Sequence, residues 1–196
     1  MKYTYTKEKE SQRDGRNKGT VINKAYIESG EYRKKFDLIT NSKELNRLLY
    51  NCAKEMLYHR SGTLLEDMYW IDADAICVVA REVNQTINSK VVYSNSTRRK
   101  IKKKQNLITI HTHPSSFPPS IEDINSNHTN QYLIGIVCCH DGKVFVYKSR
   151  VLIMPSYYKK EVEDFLKEGY NEYEAQINAL KKMEERFGIK VTEVRL

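Results

Sequence analysis

Residues 106–123 constrain this chain more than any other stretch, because they require a strand, a proline-rich loop and a helix in immediate succession. The run Asn106-Leu107-Ile108-Thr109-Ile110 alternates with β-branched residues as a strand does, and His111-Thr112-His113 continues it. Residues i and i+2 of a strand face the same way, so His111 and His113 point to one side. After the prolines of the loop, Ser120-Ile121-Glu122-Asp123 has the Ser-x-x-Asp pattern of a helix N-terminus, with Asp123 in the first turn. A helix docked beside the strand end brings that carboxylate to the two imidazoles, where one metal ion can collect all three.

Two histidines and one carboxylate, with a fourth position left to water, form the donor set of a catalytic zinc site; structural zinc sites close all four positions. Zinc lowers the pKa of water to about 7 and polarises carbonyls, so hydrolysis of an amide-type bond at neutral pH is the expected chemistry. Such a reaction also needs a general base. Glu66 is the first candidate: it lies in a strand-like run over 62–72 in which Leu64, Glu66, Met68 and Trp70 share a face. Desolvation on an apolar face raises a carboxyl pKa toward neutrality, which suits a group that takes a proton from water and returns it to a leaving amine. Glu82, ending the next strand, is the second candidate, and Asp67 faces the wrong way.

On these residues the chain resembles the JAB/MPN-type (JAMM) zinc metalloproteases, whose signature is an upstream Glu, then His-x-His-Pro, then Ser-x-x-Asp. The match covers about residues 62–150, and His-Thr-His-Pro followed by Pro-Ser-Ile-Glu-Asp also resembles the bacterial RadC-like branch and phage-associated JAB domains. One departure is visible: six residues separate His113 from Ser120, where the commonest family pattern has seven. The resemblance implies one zinc ion per chain on His111, His113 and Asp123, Glu66 as general base, and Ser120 as a donor to the tetrahedral oxyanion. It implies an α/β fold of JAB/MPN (cytidine deaminase-like) type, a mixed sheet flanked by helices. The implied activity is a peptidase or isopeptidase acting on a protein or peptide, ubiquitin-like proteins included. The alternative is a non-catalytic or DNA-associated RadC-like or phage-type protein acting as a binding scaffold.

Length and composition agree with one enzyme core carrying additions: 196 residues, 40% hydrophobic and 10% aromatic, suffice for a good core. No membrane span or apolar signal region is visible, so a cytoplasmic protein is expected. Cys52, Cys77, Cys138 and Cys139 fit no C-x-x-C pattern and read as reduced, mostly buried thiols. Cys139-His140 reads as the end of a buried strand rather than as a second metal cluster.

Three regions are expected. Residues 1–35, dominated by Lys, Arg, Glu, Asn, Ser and Gly, read as a polar N-terminal arm. Residues 36–155 form the catalytic domain. It opens with a helix capped by Ser42, whose apolar stripe is Leu45, Leu48, Leu49, Cys52, Met56 and Leu57. Strands follow at about 63–71 and 75–82 and around Val91-Val92-Tyr93, then a short basic helix over 96–104. The strand with the two histidines is fourth, followed by a helix over about 120–130 and a hairpin of 132–139 and 143–149 turning at His140-Asp141-Gly142. Residues 156–196 form a C-terminal part, in which Val162, Phe165, Leu166, Tyr173, Ile177, Leu180 and Phe187 recur at helical spacing up to Gly188. That pattern is one long helix or a bent pair covering the sheet of the same chain, with a partner-binding helix as the alternative; residues 189–196 alternate as a final strand.

Charge bears on partners. Lys and Arg number 33 against 25 Asp and Glu, a net charge of +8, partly concentrated in residues 98–104. This run reads first as the solvated face of a helix, second as a contact for an acidic protein surface, and third as a nucleic-acid contact, since no aromatics are interleaved for base stacking.

Overall fold

The computed structural model describes residues 18–196. The fold is α/β. Its centre is a six-stranded mixed sheet in the order β2-β1-β3-β4-β5-β6, built from β1 (Met68–Asp72), β2 (Cys77–Glu82), β3 (Leu107–His113), β4 (Ile134–Cys139), β5 (Val144–Lys148) and β6 (Lys190–Glu193). Only β3 and β4 run parallel; the other neighbours are antiparallel. A parallel pair needs a crossover, and α5 (Ile121–Thr129) supplies it. The carboxyl ends of β3 and β4 therefore lie side by side, with the start of the crossover helix close by, where open α/β sheets hold their ligands.

Side-chain parity sorts the layers. Ile108 and Ile110 of β3, Tyr69 and Ile71 of β1, and Ile136 and Cys138 of β4 face α1 (Lys24–Ile27), α2 (Gly30–Asp37) and α3 (Lys43–Arg60). On the other face, Val137, Cys139, Phe145 and Tyr147 pack with α5, α6 (Pro155–Lys167) and α7 (Glu172–Phe187). Met68, Trp70 and Leu107 continue that face under Tyr93 and Ile101, the latter in α4 (Asn95–Ile101).

The longest helix, α3, follows its sequence closely. Ser42 caps it by accepting from the Leu45 N–H, and Leu45, Leu49, Cys52, Met56 and Leu57 are buried. Each fully buried Leu or Met on that stripe contributes about 1.5–3 kcal/mol. The C-terminal part is a helix pair: Gly169 turns the chain at positive φ, and Asn171 and Glu174 form the capping box of α7. Ala179, Leu180 and Met183 are buried against the sheet, so the pair covers its own chain.

Three expectations need correction. Residues 18–35 of the expected polar arm are folded: Asn23 and Ser29 cap α1 and α2, and Tyr32 is fully buried. Tyr32 and Phe36, one helical turn apart, join Tyr26 and Tyr50 in edge-to-face contacts at 5.4–5.8 Å. Averaged composition hid that short apolar period, and residues 1–17 of the arm lie outside the described residues. Secondly, Val91-Val92-Tyr93 is not a strand, because the Gln85 amide binds both the N–H and the C=O of Val92, as a neighbouring strand would. Thirdly, β1 starts at Met68, not near residue 63; before it, the chain is held by side chains and single backbone bonds. Of the four free cysteines, Cys77 is exposed and the other three are buried.

Candidate metal centre

All of β3 is buried, and its last residues, His111 and His113, lie on the α5 face of the sheet. At the start of α5, Ser120 is the N-cap: its hydroxyl accepts from Asp123 N–H and donates to Asp123 Oδ2 at 2.7 Å, while Ser120 N–H donates to the same oxygen at 2.8 Å. The cap thus fixes the carboxylate on the side of the helix that faces the histidines. His111 Nε2 lies 3.4 Å from Asp123 Oδ1, His113 Nε2 lies 3.5 Å from Asp123 Oδ2, and the two Nε2 atoms are 3.1 Å apart.

Those separations can be compared with a known ion. Ligand atoms bound tetrahedrally to zinc at about 2.0 Å are about 3.3 Å from one another. The three side chains are thus spaced as zinc ligands are, and among the described residues they form the one group of three His, Cys, Asp or Glu side chains with donor atoms within 4.8 Å of one another. His113 Nδ1 lies 3.1 Å from the Phe117 carbonyl, which accepts its proton and so leaves Nε2 with its lone pair toward the cluster. The Cys139 thiol donates to the same carbonyl at 3.4 Å. His111 Nδ1 is buried without a hydrogen-bond partner among the described residues.

Glu66 reaches this cluster through register. Met68 pairs with His111, and one residue earlier Asp67 and Thr112 hydrogen-bond, which sets Glu66 opposite His113. It is only 7% exposed. Burial raises its carboxyl above the ordinary value, the imidazoles of His113 and His111 partly counter this, and Asp123 reinforces it. For His113, burial acts downward, but its bond to Asp123 prevails and raises it; for Asp123, burial acts upward, but His111 and His113 hold it well below the usual carboxylate range. One negative group already satisfies the imidazoles, so the second, Glu66, is the carboxyl that most readily keeps a proton.

The other candidates sit elsewhere. Glu82 Oε1 accepts from Ser94 N–H at 2.8 Å; burial pushes its carboxyl up, yet bonds from Ser94 and Thr97 bring it below the ordinary value. Asp67 points to the opposite face, where Arg60 and His59 of α3 both reach its carboxylate at 2.5 Å. His140, next to Cys139, is turned to the Thr20 carbonyl. Sequence reasoning missed the Phe117 carbonyl, since a main-chain acceptor leaves no residue-type signal, and it missed the Asp67–Thr112 link behind the site. No family model, curated protein or solved structure matches this chain.

Proposed function

We propose that the chain is a zinc-dependent hydrolase of the JAB/MPN (JAMM) type that cleaves a peptide or isopeptide bond. The observation that carries this reading is the zinc-like spacing of His111, His113 and Asp123 beside the buried carboxyl of Glu66. His111 and His113 would hold the ion through Nε2 and Asp123 through its carboxylate. Bound there, zinc supplies a Lewis acid that polarises the scissile carbonyl and brings water to a pKa of about 7.

The protein's own groups do the rest. Glu66, desolvated and opposite His113, accepts a proton from water on a carboxylate oxygen and delivers it to the leaving amine nitrogen. Ser120 both orients Asp123 and serves as a donor to the developing oxyanion, its hydroxyl rotating from Asp123 Oδ2 to the substrate oxygen. Phe117 holds His113 in the tautomer that presents Nε2. The free thiols suit a reducing compartment, and the cytoplasm is the location we propose; no helix among the described residues is long and apolar enough to cross a membrane.

The test is hydrolysis by the zinc-loaded chain of a panel of peptides and ubiquitin-like fusions. Cleavage should stop with a chelator, and Glu66→Gln should keep zinc while lowering turnover at least about 10²-fold. Cleavage that is indifferent to both treatments, or no cleavage of any panel member by the zinc-loaded protein, contradicts the reading.

A further inference from the structure

Residues 98–104 are the densest run of cations in this protein, six in seven positions. Several cations elsewhere meet carboxylates: Lys54 with Glu28, Lys182 and Arg186 with Glu161, Lys190 with Glu184, Arg195 with Glu193. In this run Lys104 pairs with Asp72, but Arg98, Arg99, Lys102 and Lys103 have no carboxylate in ion-pair range among the described residues. The run supplies six positive charges to a net of +8, so the chain's basicity is largely local. Only Thr97 and Ile101 of α4 turn inward, leaving the cations on the solvent side.

The cations are also arranged. Asn95, Arg98, Arg99 and Lys102, spaced along one face of α4, line a single concavity. Arg98 is held there: its Nε donates to the Tyr93 carbonyl at 3.3 Å and its guanidinium lies 5.6 Å from the centre of the Tyr93 ring. Beside α4 runs a groove of about 610 Å³ whose lining is mostly polar, with Arg81, Glu82 and Lys100 in it and Ile87 and Val92 as its aliphatic members, 49% and 48% exposed. The chain next to the groove is tied to the candidate metal centre at two points. Ser89 N–H bonds the carbonyl of Leu64, two residues before Glu66, and the Tyr93 hydroxyl meets Ser126 on the helix that carries Asp123.

We propose that α4 and the adjoining groove form a docking surface for an acidic polypeptide segment that also carries aliphatic side chains, a part of the substrate that lies outside the bond to be cut. This deepens the hydrolase reading and rests on it for the identity of the bound chain as substrate. Carboxylates match the Arg98, Arg99 and Lys102 face, and aliphatic side chains match Ile87 and Val92. A nucleic acid matches only the first feature: it offers phosphates to the cations but nothing aliphatic to the groove, and Tyr93, the aromatic nearest the patch, is packed edge-on against Trp70 at 4.8 Å.

The experiment is fluorescence anisotropy at low ionic strength with the full chain and three labelled probes: an acidic peptide containing Leu and Val, the same peptide with Ser at the aliphatic positions, and an oligonucleotide of equal charge. It needs neither zinc nor turnover, so its failure is distinguishable from failure of the hydrolase reading. The aliphatic acidic peptide should bind most tightly, and the double variant Arg99→Glu with Lys102→Glu should weaken it by about tenfold or more. Ile87→Ser with Val92→Ser should weaken the aliphatic peptide by roughly threefold or more while leaving the Ser peptide unchanged. Tighter binding of the oligonucleotide, no binding of the aliphatic peptide, or a peptide affinity untouched by the charge reversal overturns the proposal. All four positions are exposed or half-buried, and unchanged melting temperatures of the variants show that the fold is intact.

Discussion

Thr112, the residue between the two candidate metal ligands, exchanges two hydrogen bonds with Asp67: its hydroxyl accepts from Asp67 N–H at 3.1 Å, and its own N–H donates to the Asp67 carbonyl at 3.1 Å. The Asp67 side chain is anchored in turn by Arg60, which also donates to the Val83 carbonyl. The buried polar network behind the sheet therefore sets the position of Glu66 in front of it. Thr112→Val should leave the Asp67 N–H unsatisfied and cost about 1–3 kcal/mol in urea unfolding, while Thr112→Ser, which keeps the hydroxyl, should recover most of that. Equal losses for Val and Ser would show that the methyl group, not the hydrogen bond, is what matters.

Gly135 and Tyr147 form a second such pair, one strand further along. A Cβ at Gly135 would lie 2.1 Å from Tyr147 Cζ, and the Tyr147 ring stands edge-on to His111 with centroids 6.4 Å apart. Gly135→Ala should therefore displace the ring and destabilise the fold by about 1–3 kcal/mol, the usual cost of overpacking. In a Tyr147→Leu background the same change should cost less, and equal costs in both backgrounds would place the strain elsewhere.

Much of this was legible in the sequence, and the reasons are specific. Parity along a strand is rigid, so His111 and His113 could be assigned to one side of their strand and Glu66 and Asp67 to opposite sides of theirs; the structure sets Glu66 opposite His113 and turns Asp67 to Arg60. The helix caps at Ser42 and Ser120 and the stop at Gly188 also follow from local chemistry and are observed. Other features were illegible because the deciding partner is distant or carries no residue signal. Tyr32 and Phe36 are buried against Tyr50 of α3 and other core residues distant in sequence. Val92 loses a strand to a side chain, and the acceptor for His113 is a carbonyl in a loop.

Asp72 gives the fold a defined response to acid. The Ala75 N–H and the Lys104 ammonium bind its carboxylate, and with Asp74 N–H they hold it below the ordinary value against the opposing effect of burial. A carboxylate whose folded-state pKa is depressed contributes stability that is present above its unfolded pKa and lost as pH falls through the folded value. Asp72→Asn should therefore melt below the parent at neutral pH, with the gap closing as the solution is acidified below the ordinary Asp range. A gap that stays constant into acid would mean that the carboxylate charge is not responsible.

The C-terminal helix pair belongs to the fold. Leu180 is 3% exposed and lies in the cluster with Val137, Phe145 and Met183. Leu180→Asp buries an unpaired charge there, and thermal melting should show a severe loss, about 3 kcal/mol or more. Unchanged melting with an altered oligomeric size would instead make α7 a partner-binding helix.

The central claim is that His111, His113 and Asp123 hold a zinc ion, and the most direct measurement is zinc binding to the full chain, by metal analysis after equilibration with zinc and removal of the excess. One zinc per chain is expected for the parent and for Glu66→Gln, with loss of stoichiometric zinc in His113→Ala and in Asp123→Ala when circular dichroism shows both to be folded. Stoichiometric zinc retained by both ligand variants, or none held by the parent, would contradict it.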